Sequence, residues 1–443
     1  MQEFNILNYG AVADGVTNNA KAIQKAVDEC NAAGGGRVVI PSGHYMSGSI
    51  QLKSNVDLHL EMGAVLISSL REEDIDDFMT QVEDDNETTG WEGGCFLGAI
   101  HAQNISLTGD GIIYGQGDKV FFDDGADGGF AESPLCVAAF RPRMILFEDI
   151  TNLSIQDITL KDAAFWTLHM AGCKHVRIHN IRILNDVRGA NNDGIDPDCC
   201  QDVVISNCMI EGGDDAIVVK ATKPMTARYG ACENVVITGC ILHSHDSALK
   251  VGTETHGVIR NISFGDCIIK DCSRAASIWV RDGGLIEDIN IHHLTGAVRR
   301  YADAPNRRWW GKGEPLFISA TYRNEEKKFP GTIQNISYDH INLKAESCIF
   351  FAAEQDCPIE RVTLDHVNIT MVKQGTQSEI PFDEQPSMYN VYAHDIPYLY
   401  ARYVNKLKIT DSTIRQEGEG FPMWVKAVQL ENCEQATIEI DHE

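Results

Sequence analysis

The sequence predicts an all-β fold: one right-handed parallel β-helix with an amino-terminal capping helix, with residues 1–443 as a single domain. Three observations carry that expectation. A short unit recurs along most of the chain, its apolar positions alternate with polar ones, and its copies are spaced mostly in the twenties of residues. Strict alternation over four or five positions is the signature of a strand, not a helix. A period of that size marks supersecondary units stacked in one dimension.

The unit begins with Asn or Asp and continues apolar, polar, apolar, two small or polar residues and a further apolar stretch. It reads Asn152-Leu153-Ser154-Ile155, then His175-Val176-Arg177-Ile178, Asp202-Val203-Val204-Ile205 and Asn234-Val235-Val236-Ile237. Further copies begin at Asn261, Asp288, Asn335 and Arg361, and Lys406-Leu407-Lys408-Ile409 reads as the last. A leucine-rich repeat has a similar period, but its leucine and asparagine ladder is absent.

One segment has helical spacing. From Asn18 to Cys30, residues Ala20, Ile23, Ala26 and Val27 share a face, and Gly34-Gly35-Gly36 stops the pattern. A solenoid must cover its first turn, so this amphipathic segment is expected as a cap. Arg37-Val38-Val39-Ile40 then starts the coil. Three stretches interrupt the period and are expected as loops: the acidic Glu72–Asn86, the cationic and aromatic Arg299–Lys312, and the tyrosine-containing Gln374–Tyr403.

The formal net charge of −27 argues against nucleic acid or an anionic membrane as partner. It leaves room for an acidic sugar, since a small basic site can sit on an acidic protein. No run of about 18 apolar residues is present, and the first residues lack a basic region followed by an apolar one. Of the 14 cysteines, Cys208, Cys240 and Cys267 fall at one place in successive repeats. Stacked inward cysteines are expected as small core residues with reduced thiols, which suits a cytoplasmic setting, or secretion if a signal peptide has been removed. No Walker-type loop, dinucleotide fingerprint or HExxH run occurs, so neither a nucleotide nor a metal cofactor is expected.

The chemistry concentrates in two clusters about one turn of the coil apart: Asn191-Asn192-Asp193-Gly194-Ile195-Asp196 and Gly212-Gly213-Asp214-Asp215-Ala216. Each precedes a strand-like apolar run. If equivalent places on neighbouring turns stack, the carboxylates converge, with glycines leaving room above the backbone. Converging carboxylates can supply a proton donor and a base for water, as cleavage of a glycosidic bond requires. Asn, Asp and Gly also make ordinary turns, but a turn needs one such residue where several are grouped here.

These residues resemble the signature of the polygalacturonases, glycoside hydrolase family 28. Asn5-Ile6-Leu7-Asn8-Tyr9-Gly10-Ala11, Asp14-Gly15 and Gly34-Gly35-Gly36 resemble the entry of the wider pectin lyase-like β-helix group. The likeness spans about Phe4 to Ile414. It implies an inverting hydrolase in which Asp214 protonates the leaving oxygen while Asp193 and Asp215 hold and deprotonate the attacking water. Two departures from the family pattern bear on the substrate. The family histidine falls on Asp246 or Ser247, with His245 just before. The family Arg-Ile-Lys run is replaced by Ser277-Ile278-Trp279-Val280-Arg281, so Lys250 or Arg281 is the candidate replacement cation and Trp279 a candidate stacking face.

Asn191 completes the expected substrate set, together with Lys220, which faces either the cleft or the outer surface by its period-two position. Trp309 belongs to it as part of a sugar-facing wall, or else packs beneath its own loop. The expected partner is a pectic or related glycan, with a rhamnogalacturonan-type chain as a variant. A β-eliminating lyase with calcium held by the Asp clusters, and a non-catalytic glycan-binding solenoid, are the competing readings. The sequence leaves oligomeric state open.

Overall fold

In the computed structural model, the described residues are 1–76, 94–123, 135–137, 140–301, 311–374, 395–420 and 422–441. Apart from one antiparallel pair, Phe121–Phe122 with Cys136–Val137, their strands form one continuous parallel sheet wound into a right-handed coil with three faces per turn. The repeats read from the sequence are the first face. Val176 stacks on Val203, Val235 and Ile262, and Ile178 on Ile205, Ile237 and Phe264, in unbroken register. All of these side chains are buried. The column continues through Ile291, Tyr338, Leu364 and Ile409.

At the end of each first-face strand one residue adopts a left-handed backbone and turns the chain onto the second face. Asn180, Asn207, Asp266, His293, His340, His366 and Asp411 all have φ between 46° and 56° there. Asn, Asp and His tolerate that region better than most side chains, which explains the residue types that open the turn. The third face contains Leu168–Ala171, Ile195–Asp198, Ile217–Ala221, Ser247–Thr255, Arg274–Val280 and Leu316–Ala320, paired in that order.

The coil is longer at both ends than the repeat indicated. Glu3–Asn5 pairs in parallel with Gly36–Ile40, so the first strand precedes the cap. Thr437–Asp441 pairs with Val404–Glu417 and adds a turn after the one expected to be last. The capping helix is Ala20–Ala32, with Ile23, Ala26, Val27 and Cys30 buried. Gly35 follows it at φ 116°, where an added Cβ would lie 2.6 Å from Asn55. A second helix, Lys223–Tyr229, was not legible as one. It is inserted after the third-face strand Ile217–Ala221 and accounts for the long step from Ile205 to Ile237.

Cys208, Cys240 and Cys267 are buried, free thiols, as expected of core positions. No helix among the described residues is long and apolar enough to cross a membrane.

Candidate active site

Two turns of the third face bring the acidic clusters together. Ile195 is in register with Ile217, so Asp193 lies directly below Asp215 and Asn192 below Asp214. The Gly194 N–H donates to the Asp215 carbonyl at 2.9 Å, and the Ala216 N–H to the Ser247 carbonyl at 2.9 Å. The glycines act differently from the expectation that they open space. A Cβ on Gly194 would stand 2.4 Å from the Ala216 carbonyl oxygen, and one on Gly213 2.2 Å from that of Gly189. They allow neighbouring backbones to close up, and this brings the carboxyls together.

One oxygen from each of Asp193, Asp214 and Asp215 lies within 4.8 Å of the others. Asp193 and Asp215 are 2% and 1% exposed, whereas Asp214 is half-buried. Asn192 fixes the second cluster. Its Oδ1 accepts from the N–H groups of Gly213 at 2.7 Å and Asp214 at 3.2 Å, and its Nδ2 donates to the Asp186 carbonyl at 2.8 Å. Ser244 Oγ donates to the Asp214 carbonyl at 2.6 Å.

Two lysines, Lys220 buried and Lys250 half-buried, divide the carboxylates between them. Lys250 Nζ is 2.8 Å from Asp215 and 3.9 Å from Asp246. Lys220 Nζ is 3.1 Å from Glu254 and 3.7 Å from both Asp193 and Asp196, with its ammonium 4.5 Å from the centre of the Trp166 ring. Lys220 therefore faces the acidic site, which decides between its two sequence placements. Asn191 Nδ2 donates to Asp214 Oδ2 at 3.5 Å, and Arg141 donates to Asn191 Oδ1 at 3.1 Å and to the Ala190 carbonyl at 2.7 Å.

Burial dominates the titration of this cluster. It pushes Asp214 up to about 7, helped by the neighbouring Asp193 and Asp246 carboxylates. It pushes Asp215 up to about 8 and Asp196 up to about 8, in each case against the pull of a lysine, and raises Asp193 well above the ordinary range. Burial opposes the charge on Glu254, but Lys220 and Arg323 draw it down to about 2. The carboxyls thus share protons near neutrality. Geometry decides where a proton stays: Asp215 accepts from an ammonium at 2.8 Å, whereas Asp214 faces a neutral amide. An ionised Asp215 beside a protonated Asp214 is the arrangement the contacts favour.

The remaining sequence candidates lie around this centre. Asp246 and Ser247 occupy the next turn, above Asp214 and Asp215. Ser247 Oγ donates to Asp246 at 3.1 Å, and Arg274 pairs with Asp246 at 3.6 Å and Glu314 at 3.2 Å. The His245 ring stacks on Tyr301 at 3.6 Å between centroids, 19° from parallel. Trp279, expected as an open stacking face, is 1% exposed. It packs 4.4 Å from Phe317 between centroids, with the Arg281 guanidinium 4.8 Å over its ring. Arg281 in turn donates to the Tyr322 carbonyl at 3.4 Å. The correction has a simple cause: outward residues of this face are covered by neighbouring segments, so an outward tryptophan is not automatically an exposed one. Trp309 lies outside the described residues.

Arg141, Trp166, Arg274 and Glu314 were missed by sequence reasoning. Arg141 reaches the site from about fifty positions upstream, and no local pattern announces that. Asp196 and Glu254 carried a faint signal, since each sits near an acidic or lysine-bearing strand.

The three clustered aspartates are also the residues here with a donor set for a cation. Lys250 and Lys220 already bring positive charge to the same oxygens, which weakens the case for a metal at this point.

Comparison with known proteins agrees with the geometry. The model of "Glycosyl hydrolases family 28" matches residues 30–382. A "Probable polygalacturonase" of Vitis vinifera is 26% identical over 404 residues, covering 85% of this chain and 76% of its own. A family 28 exopolygalacturonase of Yersinia enterocolitica superposes with a TM-score of 0.74 at 16% identity, covering 99% of this chain and 79% of its own. A hyperthermoactive exopolygalacturonase of Thermotoga maritima gives 0.63 at 22% identity, covering 84% and 87%. At those identities the two structures attest the fold.

Proposed function

The chain belongs to glycosyl hydrolases family 28, whose members act on pectic polysaccharides, and on that premise we propose an inverting hydrolase of a uronate-bearing pectic chain. Membership favours hydrolysis over the β-eliminating and non-catalytic readings. Asp214 is the general acid. Its carboxyl proton passes to the glycosidic oxygen as the bond to the anomeric carbon breaks, and the leaving sugar departs with a free hydroxyl. Water attacks the anomeric carbon from the opposite side and gives its proton to Asp215, with Asp193 fixing its orientation. Lys250 keeps Asp215 ionised for that task.

The observation that carries this reading is the stacked trio with an ammonium on Asp215 alone at hydrogen-bonding distance. Arg141 and the partly exposed Lys250 bring positive charge to the acidic centre, which favours a substrate that carries carboxylates, in a protein otherwise strongly acidic.

The division of roles has a stereochemical test. Inverting pairs are generally about 6.5–9.5 Å apart and retaining pairs about 5–5.5 Å. The nearest oxygens of the trio fall within 4.8 Å of one another, which is a spacing of single oxygens and not of whole carboxyl groups. A retaining enzyme uses one carboxylate as a free nucleophile, and Asp215 is engaged by Lys250 and backed by Asp193. Two carboxylates suit the holding of a water. Proton NMR during cleavage of polygalacturonan should show the newly freed end with inverted anomeric configuration. Retention would overturn the division of roles. A parallel assay on rhamnogalacturonan and neutral pectic oligosaccharides assigns the substrate: reducing ends should be released fastest from polygalacturonan, and faster release from a neutral chain rejects the uronate assignment.

A further inference from the structure

At the corner between the first and second faces, well along the chain from the aspartate trio, three successive turns carry a double column of ligand-type side chains. One column is His293, His340 and His366, each at the left-handed turn position. The other is the residue before each, His292, Asp339 and Asp365, aligned by strand register. Asp266 and Asp411 occupy the same turn position on the turns before and after.

Turn chemistry accounts for a histidine at such a position, and the strand register stacks the three rings at the spacing of neighbouring turns. His293 and His340 stack at 5.0 Å and 9° from parallel, and His340 and His366 at 4.6 Å and 5°. His340 Nδ1 is 2.8 Å from Asp339 Oδ1, and His366 Nδ1 is 3.2 Å from Asp365 Oδ1. In each pair Nδ1 and a carboxylate oxygen stand side by side, so with the imidazole proton on Nε2 the Nδ1 lone pair and that carboxylate face the same point. The stack therefore offers neighbouring imidazoles prepared in the same way. Ligand atoms of Asp339, His340 and His366 lie within 4.8 Å of one another, as do those of Asp365, His366 and Asp411, and of Asp266, His292 and His293.

We propose that this corner is a surface site for a divalent transition cation of the Zn²⁺ and Cu²⁺ class, centred on His340 and His366 with a carboxylate from Asp339 or Asp365. Mixed imidazole and carboxylate donors suit these ions better than Mg²⁺ or Ca²⁺, which prefer oxygen. Tetrahedral Zn²⁺ with ligands at about 2.0–2.1 Å needs donor atoms roughly 3.3 Å apart, so the edges of the exposed rings must close by up to about 1.5 Å. Three protein ligands leave a position for water or for a donor from another molecule. The site requires no part of the hydrolytic machinery, which lies on the third face.

The test is zinc titration calorimetry of the full chain, comparing wild type with the double variant His340→Asn/His366→Asn. Asparagine is the conservative choice because Asn180 and Asn207 hold the same turn position on other turns. Wild type should bind Zn²⁺, and the double variant should bind at least ten-fold more weakly while hydrolysing substrate at the wild-type rate. Absence of zinc binding by wild type overturns the proposal. So does unchanged binding by the double variant, which would place the ion elsewhere, such as at the aspartate trio. A second reading needs no variant: one equivalent of Cu²⁺ on wild type should give an electron paramagnetic resonance signal with imidazole nitrogen couplings, and an oxygen-only signal rejects the site.

Discussion

The first and third faces of the coil share a backbone and a pitch but treat their outward side chains in opposite ways. On the first face, Gln201–Ser206 and Cys232–Thr238 alternate buried and exposed positions, with Val204 and Val236 about 40% exposed. On the third face, Ile195–Asp198, Ile217–Ala221 and Arg274–Val280 are buried at every position. Their inward residues are apolar, as on the first face. Their outward residues include Asp196, Asp198, Lys220, Ser277 and Trp279, removed from water by their neighbours. Desolvating charges costs free energy unless they are paired. The first face is thus built for stability, and the third holds charged groups in an environment that shifts their protonation.

The largest effect that can break this comparison is on the third face. Asp214→Asn keeps the shape and removes the transferable proton, and should lower kcat by about 10²–10⁴-fold with thermal stability unchanged or raised. Wild-type kcat should also fall as pH rises above neutrality, where the buried cluster gives up the proton that Asp214 holds. A variant that keeps a tenth of wild-type activity, or a flat alkaline limb, would remove Asp214 from the acid role.

On the first face the expectation reverses. Ile237 is fully buried between Ile205 and Phe264, and Ile237→Ala removes packed volume from the centre of the column. It should cost about 2–5 kcal/mol of stability and leave the kcat of the folded fraction intact. Denaturant unfolding beside active-site titration checks both halves. A large loss of kcat without loss of stability would show the two faces to be coupled.

The sequence carried the first face almost completely, because one exposed and one buried side produce alternation that can be read residue by residue. It carried less of the third face. Ile217-Val218-Val219 reads as a plain apolar run when both sides are buried, and nothing in it separates inward from outward. The aspartate trio was legible because its residues are grouped at a fixed interval. Arg141, Arg274 and Glu314 were not, since they arrive from distant turns and only the winding of the coil makes them neighbours of Asn191 and Asp246. The last described turn escaped notice for a related reason: Thr437–Asp441 only half-buries Ile438 and Ile440, so its apolar side is short and weak.

The smallest effect concerns the cost of a charge on the buried face. Asp196 is fully buried, 3.7 Å from Lys220, and burial raises it to about 8. Its folded value lies above the ordinary carboxylate value, so between those two the folded form holds a proton that the unfolded form releases. The stability from that proton is complete below the ordinary value and lost as pH rises through about 8. Asp196→Asn cannot ionise and escapes that loss, while Lys220 keeps Glu254 at 3.1 Å. The variant should gain about 1–3 kcal/mol over wild type at pH 9 and nothing once pH falls below the ordinary carboxylate value, seen as a higher midpoint in thermal unfolding at the higher pH only. Equal destabilisation at high and low pH would mean that the ionised Asp196–Lys220 pair holds the third face together, and that its charges, like the isoleucines of the first face, are there for stability.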